Sequence, residues 1–125
     1  MSELTYVQEY NAIAEVLGHY IDGNATASSA KMKPAFHESA TIYGLWDGAV
    51  FGPEIQKLFD VVDTFPQSPN AKAVITSLDI VGIAASARVD SDDVAGSRFT
   101  DFFNLLRVNG KWTIVSKLYY AHTAA

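Results

Sequence analysis

The sequence predicts an α+β fold in which helices pack on one face of a curved antiparallel sheet. Three observations carry this. Apolar residues recur at helical spacing through residues 3–22, the chain turns β-like from residue 72 onward, and Asn109-Gly110 joins the two strongest strand patterns, 98–108 and 111–120.

The first helix is expected over 3–22. Leu4, Val7, Tyr10, Ile13, Leu17 and Tyr20 or Ile21 fall three and four apart and make one apolar stripe. Ser2 and Thr5 can both serve near its start, Glu3 suits the first turn, and Asp22-Gly23-Asn24 is read as its end. A second, shorter helix is expected near 28–36, irregular because of Pro34. Residues 40–46 read as a strand, followed by an Asp47-Gly48 turn. Gly52-Pro53-Glu54 opens a third helix with Ile55, Leu58, Phe59 and Val62 on its inner stripe. Residues 65–70 are a loop. Residues 73–90 read as a long strand bent at Gly82, and 90–96 as a polar turn.

The final hairpin carries the most specific expectation. A two-residue Asn-Gly turn needs positive φ at both positions and sets Val108 opposite Lys111. Counting back from there puts Phe99, Asp101, Phe103, Leu105 and Arg107 on one face with Trp112, Ile114, Ser116, Leu118 and Tyr120. Phe102, Leu106, Val115, Lys117 and Tyr119 fall on the other. The first face is the core face, and Asp101 is its anomaly, because burying a carboxylate without partners is expensive. Either neighbours satisfy it structurally or it faces an internal cavity and serves a function. The second face is too apolar for a plain solvated surface. A self-complementary contact through Phe102, Leu106, Val115 and Tyr119 is the expected use, a homodimer.

Composition narrows the function. The chain has 125 residues, a length suited to one domain spanning 1–125, with 49% hydrophobic residues, ample for a core. The net charge of −5 with nine Lys and Arg residues offers no footprint for nucleic acid. There are no cysteines, so disulfides, thiolate metal sites and cysteine nucleophiles are excluded. His19, His37 and His122 lack metal-ligand spacing, so no metal is expected, and without phosphate-loop or GxSxG motifs no cofactor is expected either. His37 is read as a cap on the second helix and His122 as a possible cover for a pocket mouth. The N-terminus lacks a signal-peptide pattern and no apolar run is long enough to span a bilayer, so a soluble cytoplasmic protein is expected. Tyr20, Tyr43, Trp46 and Trp112 are aromatics with polar tips suited to lining a pocket.

The phrases AFHESATIYGLWDG and RFTDFFNLLRVNGKWTIVSKLYY, with the N-terminal amphipathic helix and the Gly-Pro-opened helix, resemble the nuclear transport factor 2-like superfamily. The resemblance spans nearly the whole chain and points to the lumazine-binding-like branch, near the polyketide-cyclase-like (SnoaL-like) proteins. It implies a cystatin-like cone: a strongly bent antiparallel sheet wrapped around the N-terminal helices, enclosing an apolar pocket, commonly as a homodimer. Steroid-isomerase-like members pair a base carboxylate on the early strand with an oxyanion hole built from a helix-1 tyrosine and a protonated acid on a late strand. By resemblance Asp101 stands in the place of that acid and Tyr20 in that of the tyrosine, but Gly44 stands where the base would be.

The leading expectation is therefore a domain that binds a small apolar or aromatic molecule in a pocket formed by Tyr20, Tyr43, Trp46, Asp101, Phe103 and Trp112. The alternatives are an isomerase, dehydratase or cyclase using Asp101 and Tyr20, and a non-catalytic dimerisation module.

Overall fold

The computed structural model describes residues 4–122. Helix α1 spans Tyr6–Thr26. It opens on a capping box in which the Thr5 hydroxyl accepts from the Gln8 amide and the Gln8 side chain accepts from the Thr5 amide. Ser2 and Glu3 lie outside the described residues. The helix runs past Gly23-Asn24 to a left-handed cap at Ala27. Gly23 serves packing instead: a Cβ there would meet Met32 Cβ at 2.7 Å.

The short helix α2, Ser29–Met32, passes into a 3₁₀ turn, Lys33–Ala35, that takes up Pro34. Strand β1 then runs Phe36–Trp46, four residues earlier than the sequence pattern suggested, so His37 lies on a strand and caps no helix. Strand β2, Ala49–Phe51, and helix α3, Gln56–Val62, follow. Residues 73–90 do not form one bent strand. They divide into β3, Lys72–Val81, and β4, Ala84–Val94, with Gly82 at positive φ in the turn between them. Strands β5, Ser97–Val108, and β6, Lys111–Ala121, follow.

The six strands form one curved, unclosed sheet in the order β2-β1-β6-β5-β4-β3. All pairings are antiparallel except β1 with β6, which is parallel. The core joins Ile13, Leu17 and Tyr20 of α1 and Leu58, Phe59 and Val62 of α3 to the inner face of the sheet, chiefly Val89, Phe103, Leu105, Trp112 and Ile114. Leu4, Val7 and Tyr10 do not join it. The buried residue of that first stretch is Glu9. No helix among the described residues is long and apolar enough to cross a membrane.

The β5–β6 hairpin begins as expected. Val108 pairs with Lys111, Arg107 with Trp112 and Leu105 with Ile114, around Asn109 and Gly110 at positive φ. The register then shifts by one: Asn104 pairs with Ser116, Phe103 with Lys117, Asp101 with Tyr119. Val115 is the extra residue of a β-bulge, and side chains alternate across a strand, so every residue of β6 beyond it changes face. Lys117 and Tyr119 turn inward, whereas Leu118 and Tyr120 turn outward and are 53% and 62% exposed. The expected placement of Ser116, Leu118 and Tyr120 on the core face, and of Lys117 and Tyr119 outside it, is thereby corrected.

Candidate functional site

The bulge assembles a polar cluster on the inner face. Phe103 stands between Ala87 and Lys117 across the strands, and Asp101 between Val89 and Tyr119, so Lys117 and Asp101 are diagonal neighbours. The Lys117 ammonium lies 3.1 Å from Asp101 Oδ1, with the two side chains 4% and 0% exposed. The approach is an ion pair whose angles are not those of a hydrogen bond, and Oδ1 has no hydrogen-bond partner among the described residues. The other oxygen, Oδ2, accepts from the Tyr20 hydroxyl at 2.8 Å. Tyr20 comes from the buried face of α1 and is held edge-on by Phe103 at 5.0 Å and Phe36 at 6.1 Å.

Burial, together with the neighbouring Asp101 carboxylate, raises the Tyr20 phenol well above its ordinary range, with Asn24 acting weakly against it. Tyr20 therefore remains a proton donor at neutral pH. Tyr119 is raised for the same two reasons, burial first. The Lys117 ammonium also sits 4.7 Å from the Tyr119 ring centre and 5.3 Å from that of Tyr20, within range of cation–π attraction to both.

Beside this cluster lies a cavity of about 80 Å³. Aromatic and aliphatic side chains, among them Trp46, Phe51, Leu58, Phe65 and Phe99, make most of its wall, and Tyr20, Asn24, Lys117 and Tyr119 supply the polar atoms. Lys117 is its one charged lining residue among the described residues. Tyr20 and Asn24 are four residues apart, so α1 presents both to the same space.

The residues singled out from the sequence are distributed unevenly about this space. Tyr20 and Trp46 line the cavity. Asp101 lies behind the lining, joined to it through Tyr20 and Lys117. Phe103 is core packing against Tyr20. Trp112 is buried away from the cavity, its indole N–H directed at Glu9 Oε1 at 3.4 Å. Tyr43 is 46% exposed, because its β1 position pairs with Leu118 and shares the outer face, while its neighbour Ile42 turns inward beside Lys117. His122 makes no part of the lining and stands 2.9 Å from the Thr100 hydroxyl.

Lys117, Tyr119, Asn24 and Phe51 were not foreseen. One signal pointed to Lys117: a carboxylate on the core face requires a partner, and the nearest cation along β6 needed a shift of one residue to reach it. Gly44, where the base of a steroid-isomerase-like site would stand, is closed by a neighbour. A Cβ there would meet the Tyr119 ring at 2.4 Å. The ring occupies the direction a carboxylate would take, so Asp101 and Tyr20 face no carboxylate from that position.

A family model described as "Putative lumazine-binding" matches residues 8–120. The chain is 30% identical over 118 residues to the aldolase FrzH of Cladobotryum sp, covering 91% of this chain and 92% of that one. Among solved structures it is similar to an NTF2-like protein of unknown function from Shewanella baltica, with 58% identity, a TM-score of 0.93, and coverage of 96% of this chain and 98% of that chain. A Nostoc punctiforme protein with a cystatin-like fold, 14% identical, superposes with a TM-score of 0.70 over 98% of this chain and 97% of its own, a likeness of fold alone. The chain is thus a member of this lumazine-binding-like family, within the nuclear transport factor 2-like superfamily.

Proposed function

We propose that the protein binds a small, largely aromatic or apolar molecule carrying one polar oxygen, with the ring system among Trp46, Phe51, Phe65 and Phe99 and the oxygen at Lys117 and Tyr20. The observation that carries this reading is an apolar cavity with one charged wall residue, Lys117, itself braced by a buried carboxylate. Ligand pockets are characteristically apolar with few convergent polar groups. Trp46 reports on occupancy, since it lines the cavity while Trp112 lies apart from it. Aromatic carbonyl and carboxylate compounds should quench the Trp46 component and raise the melting temperature of the parent protein. Asp101→Asn should alter that ligand profile by disturbing Lys117, and identical profiles for the two proteins would remove Asp101 from the site.

A second reading is an enzyme acting on a carbonyl compound, with Tyr20 polarising the carbonyl and Asp101 moving a proton. The relative described as an aldolase favours it, and so does the buried Lys117–Asp101 pair. An isomerase of the two-carboxylate kind is disfavoured by Gly44 and the ring packed over it.

We also propose that two copies associate through the outer face of the sheet. Tyr43, Phe102, Leu106, Leu118 and Tyr120 form its apolar exposed surface, with Leu118 and Tyr120 in the place expected of Tyr119. The Ser86, Asn104 and Ser116 side chains are hydrogen-bonded in a row across it. Light scattering should give the mass of a dimer for the parent and of a monomer for Leu118→Lys, and a monomeric parent would end this reading.

A further inference from the structure

We infer that Lys117 is a nucleophile whose ε-amine joins the carbonyl carbon of an aldehyde or ketone in the cavity, forming an imine held against Asp101. The inference rests on the cavity being a binding site and goes beyond it by naming the bond formed and the ligand's reactive group.

Four features of the molecule support it. Of the six lysines, Lys117 is the one that is buried, while Lys31, Lys33, Lys57, Lys72 and Lys111 are all exposed. It lines the apolar cavity, so a carbonyl compound seated there meets an amine with few competing waters. Asp101 Oδ1 stands 3.1 Å from Nζ and has no hydrogen-bond partner among the described residues, so it can accept the ammonium proton. The Tyr20 hydroxyl gives its one O–H to Asp101 Oδ2 and so holds the carboxylate with Oδ1 toward Lys117.

An ammonium proton passes to Asp101, and the freed Nζ lone pair adds to the carbonyl carbon. The carbonyl oxygen takes up a second nitrogen proton and becomes the carbinolamine hydroxyl. The C–O bond then breaks, and the oxygen leaves as water with the proton returned by Asp101. Ammonium and carbonyl become iminium and water, so the site begins and ends with one positive charge beside one carboxylate. The Coulomb attraction that holds Lys117 in a dry interior therefore also holds the iminium. The rings of Tyr20 and Tyr119 face that charge in both states.

The experiment treats the full chain with cinnamaldehyde and cyanoborohydride, which reduces an imine to a stable secondary amine, followed by intact mass measurement and peptide mapping. One reduced adduct on Lys117 is expected, formed well before any on the five exposed lysines. Lys117→Arg should abolish it, and Asp101→Asn should slow it by roughly a hundredfold, the lower range of a general acid–base contribution. Circular dichroism on each variant checks folding, and slowing by Asp101→Asn serves as the second arm if Lys117→Arg does not fold. Cinnamyl alcohol, which has no carbonyl, is titrated in parallel against Trp46 fluorescence. If the alcohol binds but the aldehyde leaves no adduct on Lys117, the imine is overturned and the binding site stands. If neither binds nor reacts, both fail. Adducts spread evenly over the lysines also overturn it.

Discussion

Among the described residues two carboxylates are buried, Glu9 and Asp101, and they are built from nearly the same parts. Glu9 of α1 meets a cation, Arg107, at 3.0 Å and an aromatic donor, the Trp112 indole, at 3.4 Å. Asp101 of β5 meets a cation, Lys117, at 3.1 Å and an aromatic donor, the Tyr20 hydroxyl, at 2.8 Å. The difference lies in what surrounds them. Both oxygens of Glu9 are hydrogen-bonded, one by an Arg107 N–H and the other by the indole, and the Arg107 side chain reaches solvent at 31% exposure. Asp101 is fully enclosed, one of its oxygens lacks a hydrogen bond among the described residues, and its cation is a lysine on the wall of a cavity. The first arrangement clips α1 to the hairpin. The second leaves one carboxylate oxygen without a hydrogen bond among the described residues, behind the wall of an apolar cavity.

The largest effect expected from breaking this contrast is at Lys117. Lys117→Met leaves Asp101 as an uncompensated buried charge and should lower unfolding free energy by about 3–5 kcal/mol in urea titrations. Adding Asp101→Leu should restore most of the loss, since removing both partners removes the stranded charge. A single-variant loss below about 1 kcal/mol would show that water reaches the pair.

Gly44→Ala tests whether the Tyr119 ring is fixed in place. Its Cβ must displace that ring, so about 1–3 kcal/mol of stability should be lost, recovered in part by Tyr119→Leu. Additive losses in the double variant would mean that the contact is not the cause.

Tyr20→Phe takes the one hydrogen bond from Asp101 Oδ2 and should lose about 1–3 kcal/mol at neutral pH. It should also change the alkaline limb of the stability profile. The folded-state pKa of Tyr20 is raised, so its contribution is complete below the unfolded value near pH 10 and declines as pH rises through the folded one. The variant should lose this part of the decline and keep the smaller part due to Tyr119, which is raised as well. Superimposable alkaline limbs would contradict the assignment.

The smallest effect belongs to the other carboxylate. Glu9→Gln keeps the shape and loses a partly solvated ion pair, so about 1 kcal/mol of stability should go, with no change in the Trp46 response to cavity ligands. A change in that response would mean that the two clusters are coupled.

Much of this fold was legible in the residues. Thr5 announces a helix start, Pro34 an irregular turn, and Asn109-Gly110 a tight hairpin, because each acts within a few residues of itself. Asp101 was legible as an anomaly for the same reason, since its neighbours Phe99 and Phe103 mark the face it occupies. Its partner was not. A period-2 pattern carries the register outward from the turn only while pairing stays one to one, and the extra residue Val115 breaks that count. The apolar start of α1 misled in the opposite direction. Leu4 and Val7 continue the helical stripe, but the sheet leaves them 48% and 65% exposed and buries Glu9 instead, because Arg107 and Trp112 stand there to receive it.

The sequence by itself thus determined the helices, the hairpin turn and the presence of one misplaced carboxylate, all of which follow from local backbone and burial preferences. Only the tertiary structure decided that Lys117 and Tyr119 face inward, that the Tyr119 ring fills the space over Gly44, and that an apolar cavity ends on a buried ion pair. These depend on a one-residue bulge and on contacts between elements far apart in the chain, and no local preference encodes them.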